Sequence, residues 1–376
     1  MKRILAAIIF LAVVFSLCGC QDYRGLNSLT FVAGMAVDAD EKDPEILVVN
    51  LEIVDTQSAA ADSPMRSSLS EGQGRTLTEA IYNMNGKLHG ELYFGNCELV
   101  VLGQKLAAKT DIGVLLEGLS RNARIRDDLV ILVSQEKTAK EILDNPDSIV
   151  SFFVGANLMK KTPDTTGAKA RRLYELGEMI SRGTTDLALP AIAFANKEAG
   201  ELRLGPLAIY SGEKMAGYMA KADMPFFLLA TEKLKGGNYS FFFEDDGRGL
   251  PLYASLLLRK SEPRVNVTFD GERFTFYIDI KAEFSVSELS PGWENPGAPF
   301  FKELEERVEE SLCHSVGDMA ARVHGEFGAD ITGFSDALRN RDHRLWERVR
   351  DSWHDYLKDA VIKVSCEADI TDAGLI

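Results

Sequence analysis

Residues 265–284 read VNVTFDGERFTFYIDIKAEF. In the second half, Phe274, Phe276, Ile278, Ile280, Ala282 and Phe284 alternate with polar or amphipathic neighbours, so a strand's period of two puts all six on one face. Val265, Val267 and Phe269 alternate in the same way before Asp270-Gly271, a favoured two-residue turn dipeptide. The stretch therefore specifies a long antiparallel hairpin with one buried and one wet face. Downstream, after turn-rich residues 291–299, Phe301, Leu304, Val308, Leu312, Val316, Met319 and Val323 recur at helical spacing, giving a long amphipathic helix suited to cover the hairpin. A second helix carries Trp346, Val349, Trp353 and Leu357 on one stripe, and both tryptophans are read as core. Ile362, Val364, Cys366, Ala368 and Ile370 alternate to form a closing strand.

Upstream the texture changes. From Gly205 to Phe243, short apolar runs (Leu207–Tyr210, Phe226–Leu229, Tyr239–Phe243) alternate with Gly-rich and charged turns, and a small antiparallel sheet is expected there, bounded near Arg259–Pro263. Further back, Ile46–Val54 is a half-buried strand, and 56–74, rich in Ser, Ala, Asp and Gly, reads as a long exposed loop. Thr76 with Glu79 forms a capping box opening a helix that carries Leu77, Ile81, Met84 and Leu88. Strand runs at Leu99–Leu102 and Leu129–Val133 alternate with helical patterns at Ile112–Leu119 and Thr138–Leu143, which argues for a sheet with helices packed on it. KKTPDTTG at 160–167 reads as a loop or hinge, and a helix with Leu173, Leu176 and Ile180 inward leads to Leu189-Pro190.

The fold class expected is α+β: three mixed α/β domains, their mixed or antiparallel sheets packed by amphipathic helices and preceded by a lipoprotein signal peptide. The boundaries are 1–19 for the signal peptide, 20–195 for an N-terminal α/β domain, 203–262 for a small β-rich domain and 263–376 for the C-terminal domain.

The signal peptide rests on Lys2 and Arg3 followed by an apolar run of about 14 residues, shorter than the roughly 20 needed to span a bilayer. Leu17-Cys18-Gly19-Cys20 has the form of a lipobox, with cleavage between Gly19 and Cys20 and S-diacylglycerol plus N-acyl groups on Cys20; two chains hold a domain at a membrane surface where one is marginal. The protein is thus expected on the extracytoplasmic face. The formal charge of −15, deepened by two once Lys2 and Arg3 leave, makes nucleic acid a poor partner. Cys97, Cys313 and Cys366 remain as a widely spaced odd set, read as three buried thiols behaving as small hydrophobes, with one bridge left open.

No catalytic constellation emerges. His89, His314, His324, His343 and His354 are scattered, and Cys313-His314 with His324 lacks the convergent short spacing of a zinc site. No nucleophile elbow, phosphate loop or dinucleotide fingerprint is present; Gly72-x-Gly74 follows a loop and reads as flexible chain. Arg121, Arg124 and Arg126, with Asn122, lie between a helix end and a strand; solvated loop charge is the favoured reading over an anion or partner contact. Neither metal nor cofactor is expected, nor enzyme activity.

DYRGLNSLTFVAGMAVD (22–38), GRTLTEAIYNMNGKLHGELYFGNCELVVLGQKLA (74–107), LLEGLSRNARIRDDLVILVS (115–134), GPLAIYSGEKMAGYM (205–219) and LWERVRDSWHDYLKDAVIKVSCEADITDAG (345–374) together, in this order and spacing, resemble the C subunit of spore germinant receptors, the Ger(x)C or GerAC lipoprotein family. Residues 203–376 resemble its C-terminal region. Gln21 departs from the family's usual Trp, and Phe94-Gly95-Asn96-Cys97 stands where a Gly-His pair is common. The resemblance implies a three-domain ectodomain without enzyme activity, working beside integral-membrane A and B subunits in the inner membrane of the dormant spore. An exported solute-binding lipoprotein of a transporter and an extracytoplasmic hydrolase are the competing readings. The first demands two similar lobes about a hinge, the second a pocket holding a perturbed carboxylate or histidine.

Overall fold

The computed structural model describes residues 28–56, 65–84, 86–88, 90–122, 124–144, 149–154, 170–243, 252–290 and 298–371. The expected signal peptide and Cys20 lie outside these residues, as do the hinge expected at 160–167 and His89.

Nine strands form a mixed sheet: β1 (Leu29–Ala39), β2 (Leu47–Val54), β3 (Ser67–Gly74), β4 (Glu91–Tyr93), β5 (Leu99–Leu102), β6 (Val130–Ser134), β7 (Ala188–Asn196), β8 (Glu201–Ser211) and β9 (Lys214–Tyr218). The order is β3-β2-β1-β5-β6-β7-β8-β9, with β4 paired to β1. β1, β5, β6 and β7 run parallel, and antiparallel strands extend both sides. The parallel centre needs cover on both faces. One face receives α1 (Leu77–Tyr82), α2 (Gln104–Lys109), α3 (Ile112–Arg121) and α6 (Leu173–Arg182); the other receives α4 (Ala139–Leu143) and α5 (Val150–Phe153).

Two local expectations change here. Residues 67–74 are not loop but β3, paired to β2 along its whole length from Leu47↔Gly74 to Val54↔Ser67. SSLSEGQG has no apolar period because this edge strand is held mainly by its backbone ladder. Ile180 faces outward at 39% exposure, while Leu173 and Leu176 are buried.

The second sheet has the order β10 (Asn238–Phe243), β11 (Leu252–Phe269), β12 (Phe274–Leu289) and β13 (Val361–Thr371). All six alternating residues of β12 from Phe274 to Phe284 are buried, as the period required. The connection between β11 and β12 spans four residues, since Phe269 pairs with Phe274. Asp270 Oδ1 accepts from the N–H groups of Glu272 and Arg273 at 2.9 and 2.8 Å, and Gly271 takes φ +110, so the Asp-Gly pair turns the chain within a longer loop than the two-residue one expected. After β12 the chain forms α8 (Ala298–Arg322), a π turn (Val323–Phe327), α9 (Phe334–Arg341), α10 (His343–Val349) and α11 (Trp353–Asp359), then returns as β13, parallel to β12. Leu304, Val308, Leu312, Val316 and Met319 form the buried face of α8, and Trp346, Val349, Trp353 and Leu357 close the core.

The stretch 203–262 does not make a sheet of its own. β8 and β9 complete the first sheet, β10 and β11 begin the second, and β11 runs through the boundary expected near 259–263. β8 explains the division: Ala208 and Tyr210 face the core under α2 and α6, whereas Leu207 and Ile209 enter the core of the second sheet. A strand apolar on both faces belongs between two layers. Phe226–Leu229, expected as a strand run, lies in α7 (Met224–Thr231), opened by Pro225. Seven successive apolar residues, Met224 to Ala230, carry no period that separates helix from strand.

Candidate functional site

A buried polar grouping centred on Asp186 and Asp330 joins the two halves of the fold. α6 ends at Gly183, whose φ of +59 turns the chain out of the helix. Thr184 and Thr185 then donate their hydroxyls to Asp336 on α9 at 2.6 and 2.8 Å. Next in sequence, Asp186 accepts from Gly212 N at 2.8 Å through Oδ1 and from Asp330 N at 2.7 Å through Oδ2. His354 Nε2 of α11 stands 3.0 Å from the same Oδ2. The hydrogen bond to Asp186 holds the His354 imidazolium above the usual histidine range, opposed by partial burial.

Asp330, fully buried, is the second centre. Its Oδ1 accepts from the backbone of Gly333 and Phe334, both at 3.0 Å, and its Oδ2 from Ser335 N at 2.7 Å and Trp353 Nε1 at 3.1 Å. The carboxylate thus meets the orphan N–H groups at the start of α9 and fixes the tryptophan of α11. Ser211 Oγ donates to Gly328 O at 3.1 Å. Asp223, preceding α7, holds Arg322 at the end of α8 through a two-point pair at 2.9 and 2.5 Å, which keeps the guanidinium above its ordinary pKa. His324 is buried between Phe276 and Phe334 with neither ring nitrogen hydrogen-bonded, and burial pushes its pKa down.

Beside this network a cavity of about 310 Å³ opens between α6, β7, β8, α7 and the turn at 331–333. Leu207, Phe227, Leu228 and Ile331 make its apolar floor, and acidic and basic side chains are part of the rest of its lining.

Of the residues singled out from sequence, Trp353, His324 and His354 fall in or beside this network, whereas the cysteines, His314 and the arginines of 121–126 lie apart from it. Cys97 is buried, its thiol pushed up to about 12 by desolvation. Cys313 and Cys366 are half-buried rather than fully buried, and all three are free thiols. Cys313 faces Val364 O at 3.7 Å, His314 turns to Asp318 at 3.3 Å on the exposed side of α8, and His324 is buried elsewhere, so the three do not converge. Among the described residues no group of three or more His, Cys, Asp or Glu is arranged to hold a metal. Arg121 pairs with Glu117 at 2.5 Å, Arg124 with Glu91 at 3.0 Å and Arg126 with Asp128, all at the surface. Such pairs are balanced charge, worth little individually. Asp186 and Asp330 were not singled out from sequence, and His354 was named only as one of the scattered histidines. Asp330-Ile331-Thr332-Gly333-Phe334-Ser335 does carry a capping signal, an aspartate just before a helix, but nothing local announces its partner 144 residues upstream.

The geometry is that of an α+β protein of two unlike sheets whose junction is locked by buried carboxylates. Comparison with known proteins agrees with that class. Residues 22–194 match the family model described as spore germination protein N-terminal domain, and residues 206–374 match spore germination B3/GerAC like, C-terminal. The chain belongs to the GerAC family of spore germination proteins. It is 22% identical to spore germination protein KC of Bacillus subtilis (strain 168), covering 100% of this chain and 97% of that one, and 18% identical to spore germination protein B3 of the same strain, covering 97% and 96%. The crystal structure of the GerBC protein matches with a TM-score of 0.57 at 15% identity, over 93% of this chain and 99% of that chain, and so shares the fold. The first match ends in β7 at residue 194 and the second begins in β8 at residue 206, whereas the change of sheet comes later, between β9 and β10.

Proposed function

We propose that this chain is the C subunit of a nutrient germinant receptor, required for spore germination in response to nutrients and working beside integral-membrane A and B subunits. The observation that carries the reading is the pair of family matches spanning both halves of the chain, with the germination proteins aligned over nearly their full lengths. The two sheets, nine-stranded and mixed against four-stranded, are not the paired lobes a transporter's solute binder requires, so that alternative is not favoured.

The reading includes cleavage after Gly19, lipid on Cys20 and attachment to the outer face of the spore's inner membrane. Among the described residues no helix is long and apolar enough to cross a membrane. It also includes a division of the ectodomain at 195–203. The test is deletion of the chain from its sporulating host. Germination on the cognate nutrient is expected to fail while a non-nutrient trigger still acts, and Cys20→Ala is expected to lose both the diacylglyceryl mass and membrane partition. A normal nutrient response in a strain with no second receptor of this kind refutes the role. Membrane partition of Cys20→Ala with residues 1–19 retained refutes the tether alone.

A further inference from the structure

The cavity at this junction shares Thr185, Asp186, Gly333 and Asp336 with the fold's locking contacts. Its volume of about 310 Å³ is that of about ten waters at liquid density, which suits an organic molecule of similar heavy-atom count. Two features of its lining define the ligand. The floor, Leu207, Phe227, Leu228 and Ile331, is apolar and includes one aromatic ring. The lining carries five carboxylates against two guanidiniums. Both guanidiniums are already engaged, Arg182 with Glu178 and Arg171 with Glu232 at 3.8 Å. Asp186 is paired with His354 at 3.0 Å, which leaves Glu175, whose Oε2 accepts from Arg172 N at 2.7 Å, and Asp336, held by two threonine hydroxyls, as the wall carboxylates that face no cationic side chain of the lining. Asp336 is fixed in orientation by the hydroxyls of Thr184 and Thr185, so its charge is preorganised. Carboxylates around a low-dielectric recess reinforce one another's field, which repels anions and draws a cation whose own body can displace water from the floor.

We propose that this cavity is a binding site for a small organic cation: a primary ammonium group held by Glu175 and Asp336, attached to an apolar portion of about six to eight carbons seated on Phe227 and Leu207. The proposal goes beyond the receptor-subunit reading and does not depend on it, because it rests only on the cavity's volume and lining.

The probe is 2-phenylethylammonium chloride, titrated calorimetrically into the full chain in detergent micelles, with micelle-only blanks subtracted and 2-phenylethanol and 3-phenylpropionate as neutral and anionic comparators. The ammonium is expected to bind at least about tenfold more tightly than the alcohol, and the carboxylate not at all. Glu175→Gln with Asp336→Asn keeps the shape and removes two charges; it is expected to weaken the ammonium at least about tenfold and leave the alcohol unchanged. Ala188→Leu, which adds bulk on the half-buried wall and keeps every carboxylate, is expected to abolish binding of both, and it covers the case in which the double variant fails to fold. The proposal is overturned if the ammonium does not bind at about 10 mM, if the alcohol binds as tightly, or if Ala188→Leu leaves the affinity intact.

Discussion

Asp186 and Asp330, 144 residues apart, hold each other's backbone: Asp186 N donates to Asp330 O at 3.0 Å, and Asp330 N donates to Asp186 Oδ2 at 2.7 Å. The first residue follows the last helix of the first sheet and the second precedes α9, so this exchange is the polar weld between two otherwise hydrophobic contacts. Replacing Asp330 by Ala orphans three backbone N–H groups and Trp353 Nε1 in a fully buried position. The expected cost is about 3–5 kcal/mol in urea unfolding, with Asn losing appreciably less because it keeps one acceptor oxygen. A loss under about 1 kcal/mol for Ala means that these N–H groups find other partners and the weld is incidental.

The two junction histidines give opposite pH dependences. His354 has a raised pKa in the folded protein because Asp186 accepts from its imidazolium. Its contribution is therefore fully present below the unfolded value near 6.5 and is lost as pH rises through the folded value. At 45% side-chain exposure it is expected to be worth under about 1 kcal/mol. His324 has a lowered pKa because burial disfavours its charge. The unfolded chain takes up that proton first, so stability is lost as pH falls below about 6.5. Urea midpoints between pH 5 and 8.5 should show His354→Gln losing stability only on the acid side, while His324→Phe flattens the acid limb. Identical profiles for wild type and both variants would sink the assignment.

β13 is an edge strand whose outward N–H groups need partners. Glu309 Oε1 accepts from Ala368 N and Glu305 Oε1 from Ile370 N, both at 2.9 Å, one helical turn apart along α8. The helix thus blunts the edge with carboxylates where a further strand would otherwise pair. Glu305→Ala with Glu309→Ala should speed hydrogen exchange at Ala368 and Ile370 and cost about 1–3 kcal/mol, and the double Gln variant should restore most of the protection because it retains the acceptors. Unchanged exchange at those two amides contradicts the capping role.

The residues that spoke clearly in the sequence were those whose period matched their environment. Phe274 to Phe284 on β12, Leu304 to Met319 on α8 and the Trp346–Leu357 stripe each face a single core, and each is buried as its spacing requires. Reading failed where an element meets two environments or none. Leu207 to Tyr210 faces two cores, so its continuous apolar run concealed which sheet it joined. β3 has scarcely any apolar side chains to report its pairing, and Phe226–Leu229 was too short and too uniformly apolar to show a period. The site stayed hidden for a different reason. Asp186, Asp330 and His354 meet only after both sheets have formed, and no local pattern encodes a contact between positions so far apart. The capping aspartate before α9 was the one half of it that could have been read.

Gly72 shows how a residue that looks like slack in the sequence can be a close-packed contact. Gly72-x-Gly74 suggested flexible chain, yet both glycines lie in β3 directly against α1. A Cβ on Gly72 would stand 2.2 Å from Ala80 O, and one on Gly74 would stand 2.6 Å from Ala80 N. These are backbone atoms of a buried helix, which cannot rotate away as a side chain could, so Gly72→Ala must push strand and helix apart. It is expected to destabilise the protein by about 1–3 kcal/mol or more. Gly177 offers the internal contrast: it lies inside α6, and a Cβ there would meet nothing within 4 Å. Gly177→Ala should therefore stabilise the protein by about 0.5–1 kcal/mol, through lower chain entropy in the unfolded state and better helix propensity. Thermal unfolding of the two variants side by side decides the matter. If Gly72→Ala is neutral while Gly177→Ala stabilises as expected, α1 is not seated on β3 as closely as described; a destabilised Gly177→Ala would show instead that α6 is crowded on its outer face.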